Sequence, residues 1–150
     1  MKKILLTLFI SVSILSCKKD NNYDNDEELC KLLSKMKSDD QRIRKMDLLK
    51  NGTSSQKDSL WRIQKQIDKH NTELLIEITE KRGWVSKNEL GCDGMIPPVV
   101  IFRHSPKEHF EKIKELIETE YNAGRIGGLD YTFIENHLKG RPDFDIQIVE

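Results

Sequence analysis

The sequence predicts a mainly α protein: a single helical domain of about four to five helices, with a short extended segment at its C-terminus, carried behind a signal peptide and a flexible tether. Three observations predict it. Apolar residues after position 28 recur at intervals of three and four, the period of one helix face. The segments so marked are bounded by Ser/Thr clusters, Asn-Gly or Gly, which start and stop helices. Ahead of them stand an apolar run at the N-terminus and then a stretch, 18–28, with no aliphatic side chain.

The N-terminal run comes first. Lys2 and Lys3 precede positions 4 to 15, which are apolar except for Thr7, Ser11 and Ser13. This is a charged n-region followed by an h-region. A spanning helix needs roughly 20 apolar residues, and this run ends well short of that in Lys18, Lys19 and Asp20. Residues 1–16 are therefore read as a signal peptide. Ile14-Leu15-Ser16-Cys17 resembles the lipobox of bacterial lipoproteins, with a small residue before the cysteine. The resemblance implies that Cys17 becomes the mature N-terminus, bearing a diacylglyceryl thioether and usually an acylated amine. Several acyl chains, at about 0.8 kcal/mol per buried methylene, anchor a protein stably where one does not. The expected location is the cell envelope, on the periplasmic side or at the cell surface, with the membrane as partner through Cys17.

Loss of 1–16 removes two of the 25 basic residues and none of the 25 acidic ones, leaving 23 against 25. A net charge near −2 gives no electrostatic reason to expect nucleic acid as a partner. Residues 17–28 are read as the lipidated cysteine and a tether that cannot pack, and 29–150 as the domain. Roughly 130 residues make one domain, large enough to bury a core.

Leu29, Leu33, Met36 and Ile43 mark a first helix over about 27–49, stopped by Asn51-Gly52. Leu60, Ile63, Ile67, Leu74 and Ile78 mark a long second one, preceded by Ser/Thr at 53–55 and closed by Arg82-Gly83. Val99-Val100-Ile101-Phe102 is a buried segment too short for its type to be read. Ser105-Pro106-Lys107-Glu108 has the form of a capping box with proline at the first helical position, opening a helix with Phe110, Ile113 and Ile117 that ends at Asn122-Ala123-Gly124. A short helix over about 130–138 is closed by Gly140, and Phe144-Asp145-Ile146-Gln147-Ile148 alternates like a strand. Trp61 and Trp84 are core or rim aromatics.

Both long helices carry polar residues in apolar slots. The stripe of the first passes through Asp40 and Asp47, and that of the second through Asn71. A carboxylate or amide facing a core costs several kcal/mol unless it is paired, so these positions require partners. Arg44, one turn after Asp40, can reach back to it. The alternatives are a bend that brings these groups to the domain edge and a polar cluster lining a cleft.

Asp39-Asp40-Gln41-Arg42-Ile43-Arg44 resembles the DQ-x-x-R element of the DUF6624 family, a bacterial family of unknown function. Further elements follow in order: Asp68-x-x-Asn71 before a Leu/Ile run, Gly83-Trp84, Gly91, Asp93-Gly94, and Arg103-His104 in place of a Gln-His pair. The resemblance covers roughly residues 29–147. The chain departs from it at Glu135-Asn136, where the family has an Asp-Arg pair, and at the closing Gly-x-x-Gln-x-Tyr-Gly-Thr-Gln, here Gly140-Arg141-Pro142-Asp143-Phe144-Asp145-Ile146-Gln147. The family implies a set of residues and no reaction.

His104 is the strongest candidate for chemistry, since imidazole titrates near neutral pH, and Asp40 would orient it as a catalytic partner. A histidine at the end of an apolar segment is also often a satisfied structural group. Gln41, Arg44 and Asn71 are candidate binding residues. No metal or other cofactor is expected: His109 stands at the wrong interval from His104 for one helix face, and HExxH is missing. No phosphate loop or Gly-x-Ser-x-Gly elbow occurs, and Gly127-Gly128 reads as a turn. Cys30 and Cys92 are a candidate disulfide, which an extracytoplasmic compartment permits, although Cys30 could simply pack. Two functions fit these residues. The preferred one is a non-enzymatic envelope lipoprotein whose domain binds a protein or small molecule. The other is a hydrolase or similar acid–base enzyme using His104, Asp40, Gln41 and Arg44, which requires His104 and Asp40 to meet in space.

Overall fold

The computed structural model describes residues 23–44 and 46–142. The segment read as a signal peptide, Cys17 and the alternating segment at 144–148 lie outside the described residues. The first helix, α1 (Asp26–Arg44), opens where the Asn25 side chain accepts the Glu28 amide at 3.1 Å, with Asp26, Glu27 and Glu28 in the positive first turn and Arg42 and Arg44 in the negative last one. It ends earlier than the apolar period suggests. The Met46 amide turns back to the Ile43 carbonyl, and a single turn follows, α2 (Leu48–Asn51), held by the Asn51 amide on Asp47 at 2.7 Å. The break swings Asp47 out to the surface, so it does not continue the buried stripe.

The long α3 (Ser54–Arg82) starts from a complete capping box between Thr53 and Gln56. At 1.5 Å per residue its 29 residues extend about 43 Å. It runs antiparallel to α1: Arg82 meets Asp26 and the Tyr23 carbonyl at one end, and Arg44 meets Asp68 toward the other. The face of α3 turned inward differs from the expected one. Leu60, Gln64, Asn71, Leu75 and Ile78 are buried, whereas Ile63 is 41% exposed. Leu60, Asn71 and Ile78 of the expected stripe stay inward, while Gln64 and Leu75 take the places of Ile63 and Leu74; across the α1 interface Asp68 meets Arg44 and Asn71 meets the Met36 carbonyl, and Gln64 bonds Asp68 within α3.

Beyond α3 come α4 (Lys87–Leu90), α5 (Pro98–Phe102), a 3-10 turn (Lys107–His109), α6 (Phe110–Asn122) and α7 (Gly128–Leu138), with no strand among the described residues. The fold is mainly α. The core joins Leu29, Leu33 and Met36 of α1 to Leu75, Ile78, Phe102, Ile113, Ile117 and Ile134. Trp84 is in this core, whereas Trp61, expected in the core or at its rim, is 43% exposed. Tyr23 packs there too, 4% exposed, so the core takes in a residue of the stretch read as a tether. That stretch lacks aliphatic side chains, but an aromatic ring can bury comparable area.

Two local features differ from or add to the sequence reading. The Ser105-to-Glu108 segment forms no capping box: the buried Ser105 hydroxyl donates to the Phe102 carbonyl at 2.7 Å, Glu108 is drawn to Lys69, and the 3-10 turn precedes α6. At the end of α3, Gly83 turns the chain with φ +90°, and the next amide, of Trp84, donates to the buried Glu120 carboxylate, which also accepts two bonds from Arg125. Cys30 of α1 and Cys92, in the loop after α4, are joined by a disulfide, with Cα atoms 5.8 Å apart. Among the described residues no helix is long and apolar enough to cross a membrane.

Candidate functional site

Asp40 sits in the last turns of α1 with no solvent exposure. Its Oδ1 accepts from His104 Nδ1 at 2.8 Å and lies 3.4 Å from Arg44 Nε, while Oδ2 accepts from Gln41 Nε2 at 2.6 Å. Arg44 also donates through Nη2 to Asp68 Oδ1 at 2.6 Å, and Gln64 Nε2 donates to the same oxygen at 2.8 Å. Of the residues expected from sequence, Asp40, Gln41, Arg44 and His104 therefore converge. Asn71 does not join them. Its amide donates to the Met36 carbonyl at 3.3 Å, one turn before Asp40, and so ties α3 to α1 beneath the cluster.

Burial pushes the Asp40 carboxyl up, but the hydrogen bond and charge of His104, the hydrogen bond from Gln41 and the charge of Arg44 outweigh it and hold the group below the usual carboxylate range. Asp40 is then an anion at neutral pH and can only accept. A ring carrying a single proton must therefore hold it on Nδ1, which places the lone pair on Nε2. His104 belongs to the wall of a cleft of about 660 Å³, which is also lined by Lys65, Asp68, Lys69, Lys107 and Glu108.

The backbone on either side of His104 is fixed from α7. His137 Nε2 contacts the Ser105 carbonyl at 3.0 Å, and the Arg141 guanidinium donates to His137 Nδ1 and to the Arg103 carbonyl. Because Nδ1 accepts, His137 is neutral with its proton on Nε2. Burial first, then the charge of Arg141, lower its pKa despite the bond to Ser105. A histidine depressed in the fold contributes stability that is fully present above its unfolded pKa of about 6.5 and is lost as pH falls through its folded pKa. His137→Gln, whose amide can still donate to Ser105, is therefore expected to flatten the fall in thermal midpoint on acidification below about pH 6.5. An unchanged acid slope would show that the clamp does not depend on a neutral imidazole.

Asp40, Asp68 and His104 place ligand atoms within 4.8 Å of one another, a spacing that could hold a cation. The Arg44 guanidinium, bonded to both carboxylates, already supplies positive charge there. Asp68 and Gln64 complete the cluster and stand outside the site expected from sequence. Their signal lies in the polar series Gln64, Asp68, Asn71 at helical spacing. The His137–Arg141 clamp has no local signal at all. Comparison with protein-family models, with curated proteins and with solved structures finds no match to this chain.

Proposed function

We propose that this protein is an acid–base enzyme of the cell envelope, in its simplest form a hydrolase, with His104 as the proton-transfer group and Asp40 as its orienter. The observation that carries this reading is the 2.8 Å contact from His104 Nδ1 to the buried Asp40, which leaves Nε2 as the proton-transfer nitrogen of a residue that lines the cleft. In hydrolysis Nε2 takes a proton from water as the water oxygen attacks the substrate. The bond to the leaving group then breaks, and Nε2 returns that proton to it. Asp40 fixes the ring and stabilises the transient imidazolium, Arg44 offsets the carboxylates of Asp40 and Asp68, and Gln41 satisfies the second Asp40 oxygen. A domain that only binds a partner accounts for an anchor and gives this oriented imidazole no task. The order of the elements resembling DUF6624 supports the same cluster, since Asp40, Gln41, Arg44, Asp68 and His104 all fall within them.

The envelope location rests on the n-region, the apolar run and the lipobox form ending at Cys17. The Cys30–Cys92 disulfide supports it, because such bonds persist outside the cytoplasm.

The test has two parts. Long-range 1H–15N correlations of the His104 ring are expected to show the Nδ1–H tautomer at neutral pH, and Asp40→Asn to disturb it. Across chromogenic esters, phosphoesters and amides, the protein is expected to hydrolyse at least one class about a hundredfold or more faster than His104→Gln does. The Nε2–H tautomer, or no class distinguished from His104→Gln, would overturn the reading.

A further inference from the structure

Resting on that acid–base reading, we infer that the substrate presents an oxyanionic group, phosphoryl or carboxylate, to Lys65 and Lys107 beside His104. The cleft has two walls. Lys65, Asp68 and Lys69 come from α3, and His104, Lys107 and Glu108 come from the loop and 3-10 turn that follow α5. Its charges are mostly matched. Lys69 bridges the walls to Glu108 at 2.6 Å and lies 3.9 Å from Glu73, while Asp68 is held by Arg44. Lys65 and Lys107 have no ion-pair partner among the described residues.

A single unpaired lysine on a surface means little. Two of them, from opposite walls of one concavity that His104 also lines, focus positive potential on the point where a substrate must sit. An ammonium is a compact point charge with three donors, suited to an oxyanion of either geometry. The placement also suits the chemistry. An anionic group bound by the lysines puts the adjacent electrophilic centre near Nε2, and the same charges offset the negative charge that builds on oxygen as water adds. The carboxylates of the site do not oppose this, because Asp40 is buried behind the histidine and Asp68 is bonded to Arg44 and Gln64.

The experiment titrates inorganic phosphate and, separately, acetate into the purified protein at constant ionic strength, with chloride as control, and follows the His104 ring resonances and the Lys107 amide. A saturable shift is expected with at least one of the two anions and not with chloride, the tighter of them naming the group. In the double variant Lys65→Gln, Lys107→Gln the apparent affinity should fall about tenfold, as for the loss of two partly exposed charge contacts. Both substitutions are at exposed positions and leave the core intact. No saturable shift with either anion, or equal binding in the double variant, overturns the inference. The two readings fail separately. Anion binding with the wrong His104 tautomer removes the acid–base mechanism, and the right tautomer without anion binding removes only the substrate class.

Discussion

Asp40→Leu destabilises the domain, lowering the urea midpoint with an unchanged slope by an amount equivalent to about 2–4 kcal/mol. Two opposed effects decide the sign. Leucine relieves the cost of burying a carboxylate, and it strands three donors: His104 Nδ1, Gln41 Nε2 and Arg44 Nε. The direction of the Asp40 pKa chooses between them. The folded surroundings hold it below the ordinary value, so on balance the fold stabilises the anion relative to the unfolded chain, and replacing it forfeits that difference. The loss falls short of the worst case for a broken buried pair because Arg44 keeps Asp68 and both Arg44 and His104 retain some access to water. The same linkage fixes the pH dependence. The contribution is present above about pH 4, the unfolded value, and is lost as pH falls through the depressed folded pKa, so the variant should show a shallower acid limb. A midpoint that rises instead would mean Asp40 is kept against stability, as functional groups sometimes are.

How far the site can be read from the sequence follows from where its partners lie along the chain. Asp40 is legible because it interrupts a stripe whose other members, Leu29, Leu33, Met36 and Ile43, are all buried. Arg44 is legible because it is one turn away. The pairing with His104 can be posed from sequence only as a requirement, since 64 residues separate the two and no local period links them. On α3, following apolar residues alone selects Ile63 and Ile67, and the interface takes in Gln64 and Asp68 instead, beside the expected Asn71. The general rule that apolar faces go inward yields there to the requirement that buried polar groups find partners. The expected capping box at Ser105 fails for a related reason. A buried hydroxyl bonds the nearest free carbonyl, here that of Phe102, rather than waiting for a helix one turn further on.

These interactions make the α1–α3 pair both the core of the fold and the base of the site. Asn71 on the Met36 carbonyl, Arg44 between Asp40 and Asp68, and Arg82 on Asp26 fix the register of the two helices at successive heights. His104 is then brought to Asp40 by α5, whose Ile101 and Phe102 are buried in the core, and is held there by the clamp from α7. Packing sets the approach, and hydrogen bonds set the ring.

Replacing Cys30 and Cys92 together by alanine lowers stability by about 4 kcal/mol on chain-entropy grounds, because the bond closes a loop with a sequence separation of 62. The effect acts chiefly on the unfolded chain, which regains the freedom of a segment containing most of α1 and all of α2, α3 and α4. It should therefore appear as a large fall in the denaturation midpoint. The His104 tautomer should be little changed under native conditions, since Asp40 stands more than two turns of α1 beyond Cys30 and is held by contacts the bond does not touch. The bond itself is checked by alkylating native protein without reductant, which should leave the mass contributed by both cysteines unchanged, whereas labelling of both would remove the premise. A fall much smaller than about 4 kcal/mol with the bond verified would have a specific meaning. It would say that the α1–α3 hairpin stays partly associated in the denatured chain, so that the loop is closed in part before folding and the bond has less entropy left to remove.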